Sequence, residues 1–197
     1  MRKLYLKYFN IFFMITICCF GILSISTFAQ DVQNLPKGEL PILITSSGQS
    51  PDAFVIKVLL DRAKIDASYD GLIKADQIKD YKSLIMVMGG STKGLGAAGI
   101  DEKFELDRTK NILDEAEKQG MLMLGIHIGG EGRRGPLSMQ FIDVVAPRMQ
   151  ALIVTEEGNK DGYFTKLSEE KEIPLVVLKT TPEVGEVLQE IFPAGGE

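Results

Sequence analysis

Cysteine and histidine are almost missing from this sequence. Of 197 residues, two are cysteine and one is histidine. Cys18 and Cys19 both fall within the first 29 residues, so the chain beyond them has no disulfide, no thiol nucleophile and no cysteine metal site. The lone His127 has only Asp52, Glu131 or the Glu156–Glu157 pair as conceivable companions around a metal, too few for a zinc site. No metal and no cofactor is expected. Long apolar runs are also scarce. The uncharged stretch Ile11 to Ile25 is shorter than the roughly 20 residues a membrane-spanning helix needs.

That stretch has a different context. Arg2, Lys3 and Lys7 precede it, and Thr27-Phe28-Ala29 follows with a small residue at −3 and at −1. This succession is that of a signal peptide cleaved after Ala29, and it predicts export to the periplasm or beyond with no stable membrane span after cleavage. An uncleaved anchor is the weaker reading. Lipoprotein processing fits less well still, because Cys18 and Cys19 follow Thr16 and Ile17 rather than small residues. Cleavage would leave 168 residues with 19 basic side chains against 27 acidic, a net charge of −8. An acidic chain of this kind excludes a general nucleic-acid binder, which needs a basic face. Residues 30–40 lack periodicity and read as a short tether, and 41–197 as one α/β domain.

Strands and helices alternate along that domain. Strands are expected over Ile42–Ser46, Ala67–Ile73, Ser83–Met88, Met121–Ile128, Ala151–Thr155 and Ile173–Leu178. Helices are expected over Asp52–Ala63, Ala75–Tyr81, Asp101–Gln119, Pro136–Ala146, Asp161–Glu170 and a last stretch opened by Thr181-Pro182. Ser50 is a good N-cap, with Pro51 at the first helical position. The charged helix after Asp101 reads as largely solvated, with Asp114 and Lys118 at the favourable i,i+4 spacing and Gly120 as its C-cap. Continuous apolar strands in a βα alternation predict a three-layer, open, mostly parallel sheet. The expected order is flavodoxin-like, 2-1-3-4-5 with a sixth strand at the edge.

In such sheets ligands bind beyond the carboxyl ends of the strands, where the order reverses. The unusual composition of this chain falls there. Ten of its 20 glycines lie in the loops Gly89–Gly99 and Gly125–Gly135. Glycine gathered on one rim points to a backbone-lined pocket, or else to two tight turns. The same loops hold Lys93, His127, Arg133 and Arg134 against one acid, Glu131. Arginine beside free backbone N–H groups is suited to carboxylate or phosphate, although one arginine of the two is expected to pair with a surface acid. The candidate ligand-binding residues are Ser47, Gly48, Gln49 and Ser50 in the first loop, Gly90, Ser91, Lys93 and Gly94 in the second, and His127, Gly130, Glu131, Arg133 and Arg134 in the third. The expected partner is a small anionic molecule. A hydrolase-like enzyme with His127 as general base and Ser47 or Ser91 beside it is the alternative, and a rim that docks another exported protein ranks third. Glu156 and Glu157, with Asn159 and Asp161, fit either a helix cap or a hard cation.

Met88-Gly89-Gly90 and Gly125-Ile126-His127-Ile128-Gly129 resemble two features of class I glutamine amidotransferase-like domains, the strand-three Gly-Gly loop and the G-x-C-x-G nucleophile turn. His127 stands in the cysteine's place, as in trehalose-utilisation-type members, so the resemblance implies the fold without thiol glutaminase chemistry. Ser47-Gly48-Gln49-Ser50-Pro51-Asp52 and the segment from Gly129-Gly130-Glu131 to Arg133-Arg134-Gly135 are similar to a family of exported bacterial domains of unknown function. That resemblance implies location and fold, not activity. Gly94-Leu95-Gly96-Ala97-Ala98-Gly99 has GxGxxG spacing but begins five residues after its strand, with no acid on the next strand for a ribose.

Overall fold

A computed structural model describes residues 34–193. The expected leader, 1–29, and residues 30–33 lie outside the described residues. Six strands form one sheet: β1 (Ile42–Ser47), β2 (Ala67–Tyr69), β3 (Ser83–Met88), β4 (Leu122–His127), β5 (Ala151–Thr155) and β6 (Leu175–Leu178). The order is β2-β1-β3-β4-β5-β6 and every pair is parallel. This is the expected open parallel sheet. The helices are α1 (Asp52–Arg62), α2 (Thr92–Ala98), α3 (Glu102–Gln119), α4 (Pro136–Val145), α5 (Tyr163–Lys171) and α6 (Glu183–Ile191).

Because successive strand residues point to opposite faces, each central strand supplies two cores. Leu43, Leu84, Met86, Met88, Met123, Leu152 and Val154 pack with Ile112 and Leu113 of α3, Ile142 and Val145 of α4, and Phe164 of α5. The alternate residues, Ile42, Ile44, Ile85, Val87, Leu124, Ile126 and Ile153, are equally buried. Their face belongs to α1 and α6, which touch each other and bury Ile56, Leu60, Val184, Leu188 and Ile191. The register sets Ser47 beside Met88 and Val87 beside Ile126. The ends of β1, β3 and β4 therefore meet where the strand order turns.

Several local expectations need correction, beginning with the helix expected over Ala75–Tyr81, which is a single tight turn over Ala75–Gln77. The glycine-rich stretch after β3 is not a loop but contains α2. Ser91 Oγ accepts from Gly94 N at 3.0 Å to cap it, and Gly99 at φ 69° ends it. β2 stops at Tyr69, short of Ile73. Asp114 and Lys118 do not pair: Arg148 donates to Asp114 at 2.7 Å, and Lys118 donates to Glu115 at 3.2 Å. The segment read as tether is bound to the domain from Leu35, which is buried. Gly38 N donates to Ile191 O at 2.8 Å, and Glu39 N to Ser83 Oγ at 3.2 Å. Among the described residues no helix is long and apolar enough to cross a membrane.

Candidate functional site

The loop after β1 turns through two left-handed residues, Gly48 at φ 95° and Gln49 at φ 56°. Glycine suits the first because its φ lies outside the range L side chains adopt comfortably. A Cβ there would also stand 2.6 Å from the Gly89 carbonyl oxygen. The second is held by a carboxylate. Glu105 Oε1 accepts from Gly48 N at 2.9 Å and from Gln49 Nε2 at 3.0 Å. Arg108, one turn along α3, donates to the same carboxylate at 2.7 and 2.8 Å, and to Thr45 Oγ1, Ile73 O and Ser46 O. Glu105 and Arg108 are both buried. α3 is thus not merely a solvated helix: its buried ion pair clamps the first rim loop.

Beside this clamp lies His127, the last residue of β4. Its ring is fully buried, and Nδ1 lies 2.8 Å from the Met88 carbonyl oxygen. A carbonyl only accepts, so Nδ1 carries the proton and Nε2 a lone pair. Burial pushes the imidazole below its usual pKa, against the pull of the Met88 carbonyl, and Arg134 lowers it further. Among the described residues, non-glycine positive φ is confined to Gln49, Lys64 and Glu172. His127 therefore continues the strand with ordinary backbone and does not project from a strained turn. Its flanking glycines serve packing. A Cβ on Gly125 would stand 2.7 Å from Met149 Cγ, and one on Gly129 2.6 Å from Arg133 Cβ and 3.2 Å from His127 Cε1.

Arg133 and Asp52 complete the cluster. Ser50 Oγ accepts from Asp52 N at 3.3 Å at the start of α1 and from Arg133 Nη1 at 3.2 Å. Asp52 Oδ2 lies 3.8 Å from Arg133 Nη1, beyond hydrogen-bond reach. Among the described residues, three buried side-chain polar atoms have no hydrogen-bond partner: Asp52 Oδ2, His127 Nε2 and Arg134 Nε. All three belong to this rim. Buried polar groups are paired in the great majority of cases, so three at one place ask for a bound group.

The other candidates are committed elsewhere. Arg134 donates to Gly158 O at 2.6 Å and to Asp161 at 3.0 Å, and its guanidinium lies over Tyr163 and Phe164. It is a strut between two loops, and Nε is its one buried nitrogen without a partner. Glu131 pairs with Lys160 at 2.9 Å. Gly90 N donates to Ser138 Oγ at 3.0 Å. Gly94 lets α2 approach Gln49, whose carbonyl oxygen would stand 2.0 Å from an added Cβ. Gly130 would place a Cβ 2.7 Å from Glu157 Oε2. Lys93 is exposed on α2. The local positive charge expected of the rim is therefore largely neutralised, and Arg133 is the arginine with donors to spare. The alternative base–nucleophile pair is not formed: Ser47 Oγ lies 3.3 Å from Thr109 Oγ1, and Ser91 caps α2. The caps after β5 come from Asn159, which accepts from Phe164 N at 2.9 Å, and Asp161, which accepts from Tyr163 N at 3.2 Å. No group of three or more potential metal ligands occurs among the described residues.

A model for the family described as "Domain of unknown function (DUF6305)" matches residues 39–192. The chain belongs to that family. No functionally curated protein matches it. In solved structures the chain is similar to a psychrotrophic esterase from Pseudoalteromonas sp., at 9% identity over 70% of this chain and 75% of that one, with a TM-score of 0.29. It is also similar to a variant of the esterase AlinE4, at 12% identity over 83% and 87%, TM-score 0.30. A third is a serine palmitoyltransferase of Sphingomonas wittichii, at 13% identity over 85% and 45%, TM-score 0.32. Likeness at this level carries nothing about chemistry.

The matched family region spans every rim residue described above, including three that the sequence reading overlooked. Glu105, Arg108 and Thr109 sit among Glu102, Asp107 and Lys110 in one charged run, which conceals that they face the sheet. Asp52 was considered only as a metal companion. A separate cleft of about 610 Å³ runs between the Ala75–Gln77 turn and α3, lined by Phe104, Asp107, Asn111 and Glu115 among others. Arg108 reaches it with its donors already taken, and no orphaned polar atom faces it, so the rim is the better candidate.

The buried His127 also sets a pH dependence. Its folded pKa lies below the ordinary value of about 6.5 that the unfolded chain keeps. Below that pH the unfolded state takes up the proton first and stability falls, whereas above it the contribution is fully present. Thermal unfolding between about pH 7.5 and 5.5 should show this fall, with a shallower slope in His127→Gln. Parallel curves for the two proteins would contradict a buried neutral imidazole.

Proposed function

We propose that this is an exported small-molecule-binding domain whose ligand sits at the carboxyl ends of β1, β3 and β4 and places an anionic group on Arg133. The observation that carries the reading is the convergence of three unpartnered buried polar atoms, on Asp52, His127 and Arg134, at that rim. Arg133 adds a side chain that is 43% exposed, whose guanidinium makes one hydrogen bond to the protein, to Ser50 Oγ. Its remaining donors match the oxygens of a carboxylate or phosphate. His127 works in this site as a neutral acceptor. It has no hydroxyl to activate, and its Nδ1 rests on a carbonyl rather than on an orienting carboxylate.

Thermal unfolding with a panel of carboxylates and phosphates tests this. A ligand bound only to the native state at a hundred times its dissociation constant stabilises by about 2.7 kcal/mol, a rise of roughly 5–11 °C for a domain of this size. Arg133→Ala should abolish the rise. Arg134→Ala should lower the starting Tm, by loss of the strut, and keep a ligand-dependent rise. A wild-type protein indifferent to the whole panel, or an undiminished rise in Arg133→Ala, overturns the reading. Export is checked by the intact mass of the protein from its native host. A product beginning at Gln30 is expected, and one retaining residues 1–29 contradicts it.

A further inference from the structure

The geometry points to a hydroxy acid as the ligand class: a small organic anion bearing an O–H donor next to its carboxylate or phosphate. This rests on the anion-binding reading of Arg133 and deepens it. His127 Nε2 and Asp52 Oδ2 are both buried acceptors with no donor. The one histidine proton that could have served is directed to Met88 O at 2.8 Å. The cation nearest Asp52, Arg133 Nη1, stands at 3.8 Å and gives its hydrogen bond to Ser50.

A simple anion cannot complete this site. A carboxylate or phosphate brings only acceptors, which suit Arg133 but leave both orphaned acceptors unpaired beside new negative charge. A cation would suit the two acceptors but is opposed by the neighbouring guanidinium groups of Arg133 and Arg134. A hydroxyl adjoining the anionic group serves both kinds of partner: it donates to one of the two acceptors, both of which a simple anion leaves unpaired, while the anion rests on Arg133. Gly89 borders Asp52, where an added Cβ would stand 4.0 Å from Oδ2, and Arg133 borders the histidine, because a Cβ on Gly129 would meet Arg133 Cβ at 2.6 Å and His127 Cε1 at 3.2 Å. The half-exposed Arg133 side chain thus borders both residues: it shares the space beside Gly129 with the histidine ring, and its Nη1 stands 3.8 Å from Asp52 Oδ2.

Calorimetric titration of the purified protein with matched pairs, glycolate against acetate and lactate against propionate, reads the hydroxyl directly. Each hydroxy acid should bind at least about tenfold more tightly than its partner, the penalty for leaving a buried acceptor unpaired. In Asp52→Ala, and separately in His127→Leu, which removes the ring acceptor without offering another, at least one variant should bring that ratio to within about twofold of unity. The ratio is the readout, because removing a nearby carboxylate shifts affinity for both acids alike. Equal affinities in the wild type, with binding still lost in Arg133→Ala, overturn the hydroxy-acid inference and leave the anion site standing. A preference that survives both variants overturns it too, since the hydroxyl is then read elsewhere. Binding of neither acid in any pair, together with indifference to the phosphates, removes the anion site and the inference together.

Discussion

Glu105→Ala is expected to lower the stability of this domain by about 3–5 kcal/mol, the range for removing one partner of a buried ion pair. The substitution strands Arg108, which is buried and directed at Glu105 through two hydrogen bonds. It also unpairs Gly48 N and leaves Gln49 Nε2 with only its bond to Gly71 O, loosening the first rim loop in its left-handed turn. Urea unfolding should show the loss as an earlier midpoint, and ligand binding at the rim should weaken with it. Lys118→Ala is the control, because its pair with Glu115 is formed by a side chain 76% exposed; a change within about 0.5 kcal/mol is expected there. A Glu105→Ala loss no larger than the control's would show that the pair does not clamp the loop.

Gly94→Ala and Gly96→Ala should change stability in opposite directions, although both lie in α2. A Cβ on Gly94 would stand 2.0 Å from the Gln49 carbonyl oxygen, a backbone atom that cannot rotate aside, whereas one on Gly96 meets nothing within 4 Å. Alanine at 94 must therefore push α2 off the first rim loop, at a cost of about 1–3 kcal/mol. At 96 it replaces a poor helix former with the best one and gains about 0.5–1 kcal/mol. Equal effects at the two positions would mean that α2 is not seated on Gln49.

The strands and layers were legible because buried parallel strands are apolar on both faces, a pattern that Leu84–Met88 and Ala151–Val154 display without interruption. The place of the candidate rim was legible for a topological reason, since the order turns between β1 and β3. The roles of single residues were harder. Glycine has several uses, and the chain does not announce which applies: Gly94 and Gly125 serve close packing, Gly48 a left-handed turn, and Gly99 a helix end. Arg133 and Arg134 are adjacent and alike in sequence, yet one is half-exposed and the other is stacked on Tyr163 and Phe164. Only the path of the Glu131–Arg133 turn separates them. The Glu105–Arg108 pair was hidden because buried and solvated charges have the same letters. What distinguishes them is a partner 57 residues away, at Gly48.

The central claim, that the rim seats a polar ligand on His127, Asp52 and Arg133, has a direct reporter because the chain holds one histidine. Nitrogen-detected NMR of that imidazole near pH 7 should show a neutral ring protonated on Nδ1, with Nε2 as an unprotonated acceptor. Adding lactate or glycolate should move the Nε2 resonance in the direction of hydrogen-bond acceptance and leave Nδ1 nearly unchanged, and Arg133→Ala should remove the response. A ring protonated on Nε2, or one whose two nitrogens ignore every hydroxy acid, simple acid and phosphate at saturating concentration, would contradict the assignment of this rim as a ligand site.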